Sequence, residues 1–420
     1  MNGSKIAVWL IGLLAFSVGA QEAPEPPPSR TAVLPFIYKT SGLGWFAGGA
    51  VSVQGLGQSQ GQMVGVGLYS TNNSFLSYQG AYNYQLAQDS RWYFDLTWLE
   101  AKFTESQTFI SGVDGVAADA GQHDSAEDQF VYGEERMREL ELTARYILPF
   151  GAGRADHQPQ FSLHNGLPLY AVAPQSLPQP LSSVQLKLFH KDHQLNDAVS
   201  GNASDEATSL SQIEAKTAGM SISVDYDARD FAPSPSRGYW LRGQVTRDWG
   251  NDHRASYTKW EGQYSHYLDL GANGWMQQQT LVLSAYLADL PTWDANQRGE
   301  IPWYAAASVG GFDRLRGFAS NRFHDRSALF YGAEYRMVPQ FQPQGKIPVL
   351  NWYQLPWYQL AAFVEAGRVH DEFDLRELHR TMNISYGVGV RALAERVLVR
   401  GDLAFSEEES QIRLIVNQAF

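Results

Sequence analysis

The chain has 420 residues, of which 44% are hydrophobic, 13% aromatic and 18% charged, with a net charge of −12 and no cysteine. The absence of cysteine excludes disulfides and thiolate metal sites, and the acidic balance argues against a nucleic-acid-binding protein, which needs a basic face. A mean hydropathy of −0.32 is too polar for a bundle of membrane helices, but it is compatible with a membrane β-barrel, in which only alternate residues face lipid.

The N-terminus has the pattern of a secretory signal peptide. Lys5 provides a positive charge, residues 6–16 form an apolar run, and residues 18–20 fit a small-residue cleavage site. The apolar run is too short to span a bilayer as a helix. We therefore predict a signal peptide at residues 1–20, which implies export. The following residues 21–30, QEAPEPPPSR, form a proline-rich linker without a helix or strand pattern, and we predict a proline-rich lead segment at residues 21–42.

From residue 43 to residue 420, apolar and polar side chains alternate with a period of two. In one segment, Leu140 and Leu142 alternate with Glu139 and Glu141. This period is typical of β-strands with one apolar face, and we find no convincing helical pattern. Strand-length segments that recur along a whole chain, separated by turns, are typical of a transmembrane β-barrel.

Aromatic residues favour a membrane barrel over a soluble β-sandwich. Trp45, Trp92 and Trp240 lie at strand ends, where an interfacial girdle forms, and we assign Trp357 in the NWYQLPWY stretch to the same girdle. The last strand ends on Phe420, which we interpret as the C-terminal sorting signal read by the outer-membrane assembly machinery. We therefore predict an all-β fold, a transmembrane antiparallel β-barrel at residues 43–420, located in the bacterial outer membrane.

The number of strands follows from closure of the barrel. In hydrocarbon, the backbone N–H and C=O groups of an open strand edge have no hydrogen-bond partner, so the sheet must close into a barrel. An even number of strands is then expected. The alternation gives fifteen or sixteen segments, and we predict roughly sixteen strands. This count places the long loop at residues 104–129 on the periplasmic side, although long loops normally face outward. Either a strand before residue 45 is missing from the count, or residues 155–190 are divided too finely.

Residues 309–318 read VGGFDRLRGF and lie in a long connection between two predicted strands. This segment resembles the inward-folded loop of the BamA/TamA (bacterial surface antigen) superfamily, whose tip carries an Arg-Gly-aromatic motif, here Arg316, Gly317 and Phe318. The next strand is similar to the family's Glu-x-Arg strand and contains Glu334. The strand after it contains Glu365 where the family usually has aspartate.

A second motif lies upstream, in VDYDARDFAPSPSRGY. It resembles the family's D-x-R-D…P-x-x-G turn. The matching residues are Asp227, Arg229, Asp230, Pro235 and Gly238. Together the motifs cover roughly residues 215–420, and before that the resemblance is one of architecture only.

The resemblance implies that the Arg316 loop is locked inside the barrel. The alternation points Glu334 and Glu365 to the interior from two adjacent strands, and arginine forms bidentate, charge-assisted pairs with carboxylates. Breaking such a buried pair typically costs about 3–5 kcal/mol. The alternative from the residues alone is that Arg316 is a solvated loop residue and that the two glutamates line water.

Histidine clusters are the only candidates for an enzymatic site. His190, Asp192 and His193 form one group, and His324 and Asp325 form another. We place both groups in loops, and neither has a nucleophile in a recognisable motif. We interpret them as solvated loop residues. The prediction is therefore no enzyme, no cofactor and no metal site.

The resemblance implies a function in outer-membrane protein or lipid assembly or translocation. The mechanism would use a lateral seam near residues 44–55 and 411–420. Because the lead segment is too short for the POTRA domains that usually precede this barrel, we expect a member without them. The expected partners are outer-membrane lipids and lipopolysaccharide, the assembly machinery, and a separate periplasmic protein or a homo-oligomer, with no nucleic acid.

Two other functions stay open. A passive channel would suit inward polar residues such as Arg391, Arg400, Asp402 and Arg413, and single-channel conductance would distinguish it from an assembly barrel. A lipid-active enzyme would require turnover that depends on one of the histidine clusters.

Overall fold

The computed structural model describes most of the predicted barrel. The described residues are 30–40, 44–87, 89–110, 119–154, 163–164, 167–168, 179–200, 212–252, 254–292, 301–342, 355, 357–394 and 397–416. The predicted signal peptide at residues 1–20, the first part of the lead segment and the predicted sorting residue Phe420 lie outside them.

Sixteen strands form one antiparallel sheet. The strands in chain order are β1 (Arg30–Thr40), β2 (Gly44–Gln54), β3 (Gln62–Ser70), β4 (Phe75–Tyr84), β5 (Trp92–Thr108), β6 (Val131–Gly151), β7 (Leu163–His164), β8 (Leu167–Pro168), β9 (Leu181–Ser200), β10 (Ile213–Asp227), β11 (Gly238–Asp248), β12 (Thr258–Asp269), β13 (Met276–Asp289), β14 (Ala307–Val309), β15 (Phe323–Asp325), β16 (Ser327–Pro339), β17 (Tyr358–His370), β18 (Asn383–Ala394), β19 (Val397–Phe405) and β20 (Ser410–Val416).

The order of the strands is that of an up-and-down barrel. Each long strand pairs with its neighbours along the chain, while the short strands β7 and β8, and β14 and β15, form two separate ribbons. In the part of the chain that the structure describes, the helical elements are a 3₁₀ turn at Ala152–Arg154 and one α-helical turn at Leu375–Leu378. Within the described residues, neither has the length and apolarity to cross a bilayer. The predicted all-β barrel fold and its sixteen strands are confirmed.

The first strand lies in the predicted lead segment. β1 pairs with β2, and Pro35 lies opposite Gly49, so the lead segment predicted at residues 21–42 is wrong for residues 30–40. The prolines before β1 and Pro35 within it obscure the alternation of apolar and polar residues. Proline is tolerated in a strand at the end of a sheet, because the backbone N–H that it lacks need not pair with a neighbouring strand. When β1 is included in the strand count, the β5–β6 connection lies at the same end of the barrel as the Arg316 loop. The first residue of β1 lies at the other end.

The polarity of the barrel is inverted relative to a soluble protein. On the outer face, Tyr386 and Val388 are 56% and 53% exposed, whereas inward-facing Arg391 and Arg400 are fully buried. Apolar side chains that face outward and polar ones that face a lumen are the arrangement required in lipid.

The connection between β13 and β16 fills part of the lumen. Leu315, Phe318 and Phe323 from this connection pack against inward side chains of the wall, including Phe330 and Val369. The loop is therefore held inside the barrel by an apolar core as well as by charge.

A smaller apolar cluster occupies the lumen near the opposite end. Trp357 is 1% exposed and packs against Val338 and Leu393. Its assignment to an interfacial girdle is wrong, because the side chain lies on the inward face.

Candidate functional site

The β13–β16 connection presents Arg316 at the tip of a short hairpin. β14 and β15 pair as the two arms of this hairpin. Gly310 and Gly311 adopt φ angles of 109° and 126° after the first arm, a conformation that favours glycine. The turn is closed by a hydrogen bond in which the Gly310 N–H donates to the Arg314 carbonyl at 3.1 Å. This backbone path directs Arg316 towards the barrel wall.

Arg316 is fully buried and contacts three carboxylates. Its Nη2 donates to Glu334 Oε2 at 2.9 Å, its Nε to Glu365 Oε1 at 2.8 Å, and its Nη1 to Asp402 Oδ2 at 2.8 Å. The Arg316 backbone N–H also donates to Glu365 Oε2 at 2.7 Å. The guanidinium carbon lies 3.4 Å from the centre of the Phe363 ring. The guanidinium therefore joins the loop to β16, β17 and β19.

The wall supplies further arginines that balance these carboxylates. Arg336 and Arg391 donate to Glu334 Oε1 at 2.6 and 2.8 Å. Arg400 lies 3.4 Å from Asp402 and 3.2 Å from Asp313 of the loop. The result is a buried charge network in which each ion lies against at least one partner of opposite sign. We call Arg316, Glu334, Glu365, Asp402 and these three wall arginines the inner network.

The sequence placed Arg316 with Glu334 and Glu365, and the structure brings the three together. It also adds Asp402, which the sequence assigned only to a polar lumen wall. The signal was present in the sequence, since Asp402 and Arg391 fall on inward positions of neighbouring strands. Which wall carboxylates the loop reaches depends on how the strands are staggered, and alternation does not specify the stagger.

Gly317 and Phe318 seat the loop against the last strands. The Gly317 N–H donates to Ser385 Oγ at 2.7 Å, and Ser406 Oγ donates to the Gly317 carbonyl at 3.0 Å. A Cβ at position 317 would collide with the backbone carbonyl of Phe405. Phe318 is fully buried, with its ring centre 5.1 Å from that of Phe323. Glycine is thus required by close approach, and the aromatic ring by packing.

A second buried arginine, Arg322, connects three separate segments. Its Nε and Nη2 donate to the Glu408 carboxylate at 2.8 and 2.7 Å, in the turn between β19 and β20. Its Nη1 and Nη2 donate to Ser125 Oγ and to the Ser125 carbonyl at 2.8 and 2.7 Å, in the β5–β6 connection. No local pattern in the sequence indicates the role of Arg322, because its partners lie 86 and 197 residues away along the chain.

The turn motif lies between β10 and β11. Asp227 pairs with Arg229 at 2.7 Å, and Asp230 Oδ1 accepts from the Ser236 N–H at 2.9 Å. Gly238 has a φ of 100°, and a Cβ there would meet the Ala228 carbonyl. Pro235 is buried in the same turn. These contacts shape a turn at the end of the barrel away from the Arg316 loop, and the structure does not bring this motif together with the inner network.

The histidine clusters lie in strands. His190, Asp192 and His193 are in β9, so their placement in a loop is wrong; the alternation continues through them with polar residues on both faces. His193 faces inward, 2.8 Å from Glu139 Oε1, with its ring 4.1 Å from that of Tyr304. Asp192 pairs across strands on the outer face.

The other cluster is also in a strand. His324 and Asp325 are buried in β15 of the loop hairpin, so their placement as solvated loop residues is wrong. Among the residues that the structure describes, no group of three or more His, Asp and Glu side chains is arranged to bind a metal.

The lumen near β4 to β12 contains polar cavities. One has a volume of about 300 Å³ and is lined by Tyr78, Asp95 and Glu139, among others. Another, of about 200 Å³, is lined by Lys187 and Tyr304, among others. This side of the lumen is therefore less completely filled than the side that holds the inner network.

Comparisons with known proteins place the chain in a family. Residues 54–420 match the Omp85 superfamily domain. Comparison with curated proteins gave no match. Three solved structures are similar to this chain, and the third of them, with a TM-score of 0.53, shows the similarity in fold.

The first is BamA from Haemophilus ducreyi lacking POTRA domains 1–3, with 12% identity, a TM-score of 0.48, and coverage of 92% of this chain and 68% of that one. The second is CdiB from Acinetobacter baumannii, with 11% identity, a TM-score of 0.49, and coverage of 92% and 58%. The third is CdiB from Escherichia coli, with 12% identity, a TM-score of 0.53, and coverage of 94% and 62%. The chain thus spans less than two thirds of the two CdiB chains.

Proposed function

The chain belongs to the Omp85 superfamily, and we propose that it is a bacterial outer-membrane barrel that assembles or translocates protein or lipid clients through a lateral seam between β1 and β20. The observation that carries this proposal is the strand order. Within the described residues, β1 and β20 are the two strands of the sheet with a neighbour on one side only. The seam expected at residues 44–55 moves to β1, because β2 pairs with both β1 and β3.

The loop contacts support a seam with one fixed side. Arg413 of β20 donates to the backbone carbonyls of Arg316 and Phe318. We therefore expect β20 to stay attached to the lumen loop, while β1 moves when the seam opens.

An engineered disulfide between β1 and β20, which we call the seam staple, tests the proposal. The chain has no cysteine of its own, so the introduced cysteines can pair only with each other. The test pairs Val33→Cys in β1 with Ile412→Cys or Leu414→Cys in β20. The matched control is Ala47→Cys with Tyr69→Cys, which face each other across β2 and β3. Each pair is expressed in a strain that lacks the native gene, and exclusion of large antibiotics by the outer membrane is measured before and after reduction.

We expect an oxidised seam staple to abolish complementation, reduction to restore it, and the control staple to have no effect. Full complementation by a protein whose seam is demonstrably cross-linked would refute the proposal. Client delivery is proposed to depend on a separate periplasmic protein, with a homo-oligomer as the alternative. Co-purification from native membranes, followed by mass determination of the complex, distinguishes the two.

A passive channel is the second candidate, favoured by the polar cavities lined by residues such as Asp95 and Lys187. Planar-bilayer recording separates the functions. A large, stable, ohmic conductance supports the channel, whereas a mostly closed barrel with brief openings supports assembly through the seam.

A further inference from the structure

The outer face of β5, β6, β9 and β10 changes abruptly from apolar to charged. The register aligns outward side chains of the four strands in cross-strand rows. Two rows are apolar, Phe94–Ala144–Leu186–Ile222 and Leu96–Leu142–Leu188–Met220, and a third, Trp98–Leu140–His190–Ala218, is apolar except for His190. The next two rows are Glu100–Arg138–Asp192–Lys216 and Lys102–Arg136–Gln194–Glu214. We call these last two rows the outer charged patch.

Strands β5, β6 and β9 continue beyond the patch towards the end of the barrel that carries the Arg316 loop. β5, β6 and β9 have 17, 21 and 20 residues, whereas β3 and β4 have nine and ten. The extra residues lie at the end of the barrel that carries the Arg316 loop. The sheet therefore continues past the apolar rows on this side of the barrel.

The arginines of the patch are the most available of its charges. The side chains of Arg136 and Arg138 are 56% and 62% exposed. Arg138 lies 3.3 Å from Glu100, and Arg136 lies 2.7 Å from Glu134. Exposed pairs of this kind contribute little to stability, so each guanidinium can exchange its carboxylate for a stronger anion at small cost.

We propose that the outer charged patch binds the phosphate-bearing headgroups of outer-leaflet lipids. Two rows are spaced by about 7 Å along a strand, which matches the depth of roughly 5–8 Å of one headgroup layer beyond the hydrocarbon. Guanidinium groups bind phosphate oxygens bidentately. The neighbouring carboxylates, such as Glu100 and Asp192, face the cations that accompany phosphates in the same layer.

The inference rests on the proposed location in the outer membrane but not on the seam. If lipid binding fails while the seam staple still blocks complementation, only the headgroup site is refuted. If the staple fails while lipid binding persists, only the proposed function is refuted.

The test uses the full chain in detergent micelles and a fluorescently labelled lipid A as the probe. The apparent Kd is measured by anisotropy for the native chain, for Arg136→Gln/Arg138→Gln, and for Arg380→Gln as a control that removes an exposed arginine outside the patch. The Arg380 side chain is 68% exposed and lies in the β17–β18 connection, away from the patch. Lipid A without phosphates and inorganic phosphate serve as competitors. Resistance of each variant to unfolding in SDS verifies that the barrel is folded.

We expect the double variant to weaken lipid A binding about 30-fold, as the loss of two basic residues near an anionic surface implies. Arg380→Gln should bind as the native chain does, and dephosphorylated lipid A should compete poorly. Unchanged binding by the double variant, or equal competition by dephosphorylated lipid A, overturns the proposal. Complete displacement by millimolar inorganic phosphate also overturns it, because the site would then recognise the free anion and not the lipid.

Discussion

The inner network and the outer charged patch use the same residue types in opposite surroundings. In the inner network, both Arg316 and Glu334 are fully buried at 2.9 Å. In the outer patch, Arg138 and Glu100 have side chains that are 62% and 39% exposed at 3.3 Å. Ion pairs in water exchange one set of favourable contacts for another, whereas a buried ion that loses its partner has nothing to replace it. Removal of a pair in the inner network should therefore lower the free energy of unfolding several-fold more than removal of a similar pair in the outer charged patch.

The largest effect is expected for Arg316→Ala. The change leaves three carboxylates without their central cation, and we expect the free energy of unfolding to fall by about 3–5 kcal/mol. The measurement is the urea midpoint of the reconstituted barrel, with its heat-modifiability on gels and its abundance in the outer membrane. Arg380→Ala, which removes an exposed arginine, is the control. Unchanged heat-modifiability together with normal abundance would show that the Arg316 contacts are not structural.

A smaller effect is expected for Glu365→Gln, which keeps the shape and removes the charge. Glu365 accepts from both the backbone N–H and the Nε of Arg316, and loss of a charge-assisted bond costs about 1.5–3 kcal/mol. Glu377→Gln alters a comparable pair at the surface. If the two variants shift the urea midpoint equally, burial does not govern the strength of these pairs.

Arg322→Ala tests whether a buried arginine acts locally. We expect a loss of about 1–3 kcal/mol, confined to the segments that Arg322 connects. Hydrogen exchange should accelerate in the β19–β20 turn around Glu408 and in the β5–β6 connection around Ser125, while β10 and β11 stay protected. Uniform acceleration across the barrel would contradict a local role.

The smallest effect is expected for Arg138→Gln in detergent, where lipid phosphates are absent. The pair with Glu100 is exposed, and we expect a change of at most about 1 kcal/mol in the free energy of unfolding. A decrease as large as that of Arg316→Ala would remove the contrast between the two regions.

Particular residues show which side-chain directions the alternation predicts correctly and which it does not. Alternation correctly places Glu334 and Glu365 inside, and Val388 and Ile412 outside, because side-chain direction in a strand has a fixed local period. It fails at β1, where Pro35 interrupts the pattern, and at His193, where polar residues occupy both faces of β9. It also misplaces Trp357, since an aromatic residue at a strand end suits either a girdle or a lumen cluster.

By itself the sequence determined the β-barrel class, the number of strands and the apolar outer face, which depend on local periodicity and on turn signals. The inward loop with its arginine was implied by the resemblance of its motif to a known family. Only the tertiary structure decided that Arg316 also reaches Asp402, that Arg322 joins Glu408 to Ser125, and that one side of the wall carries a charged patch. Those contacts depend on strand stagger and on where a long loop folds back, and both result from packing of the whole barrel and not from any single segment.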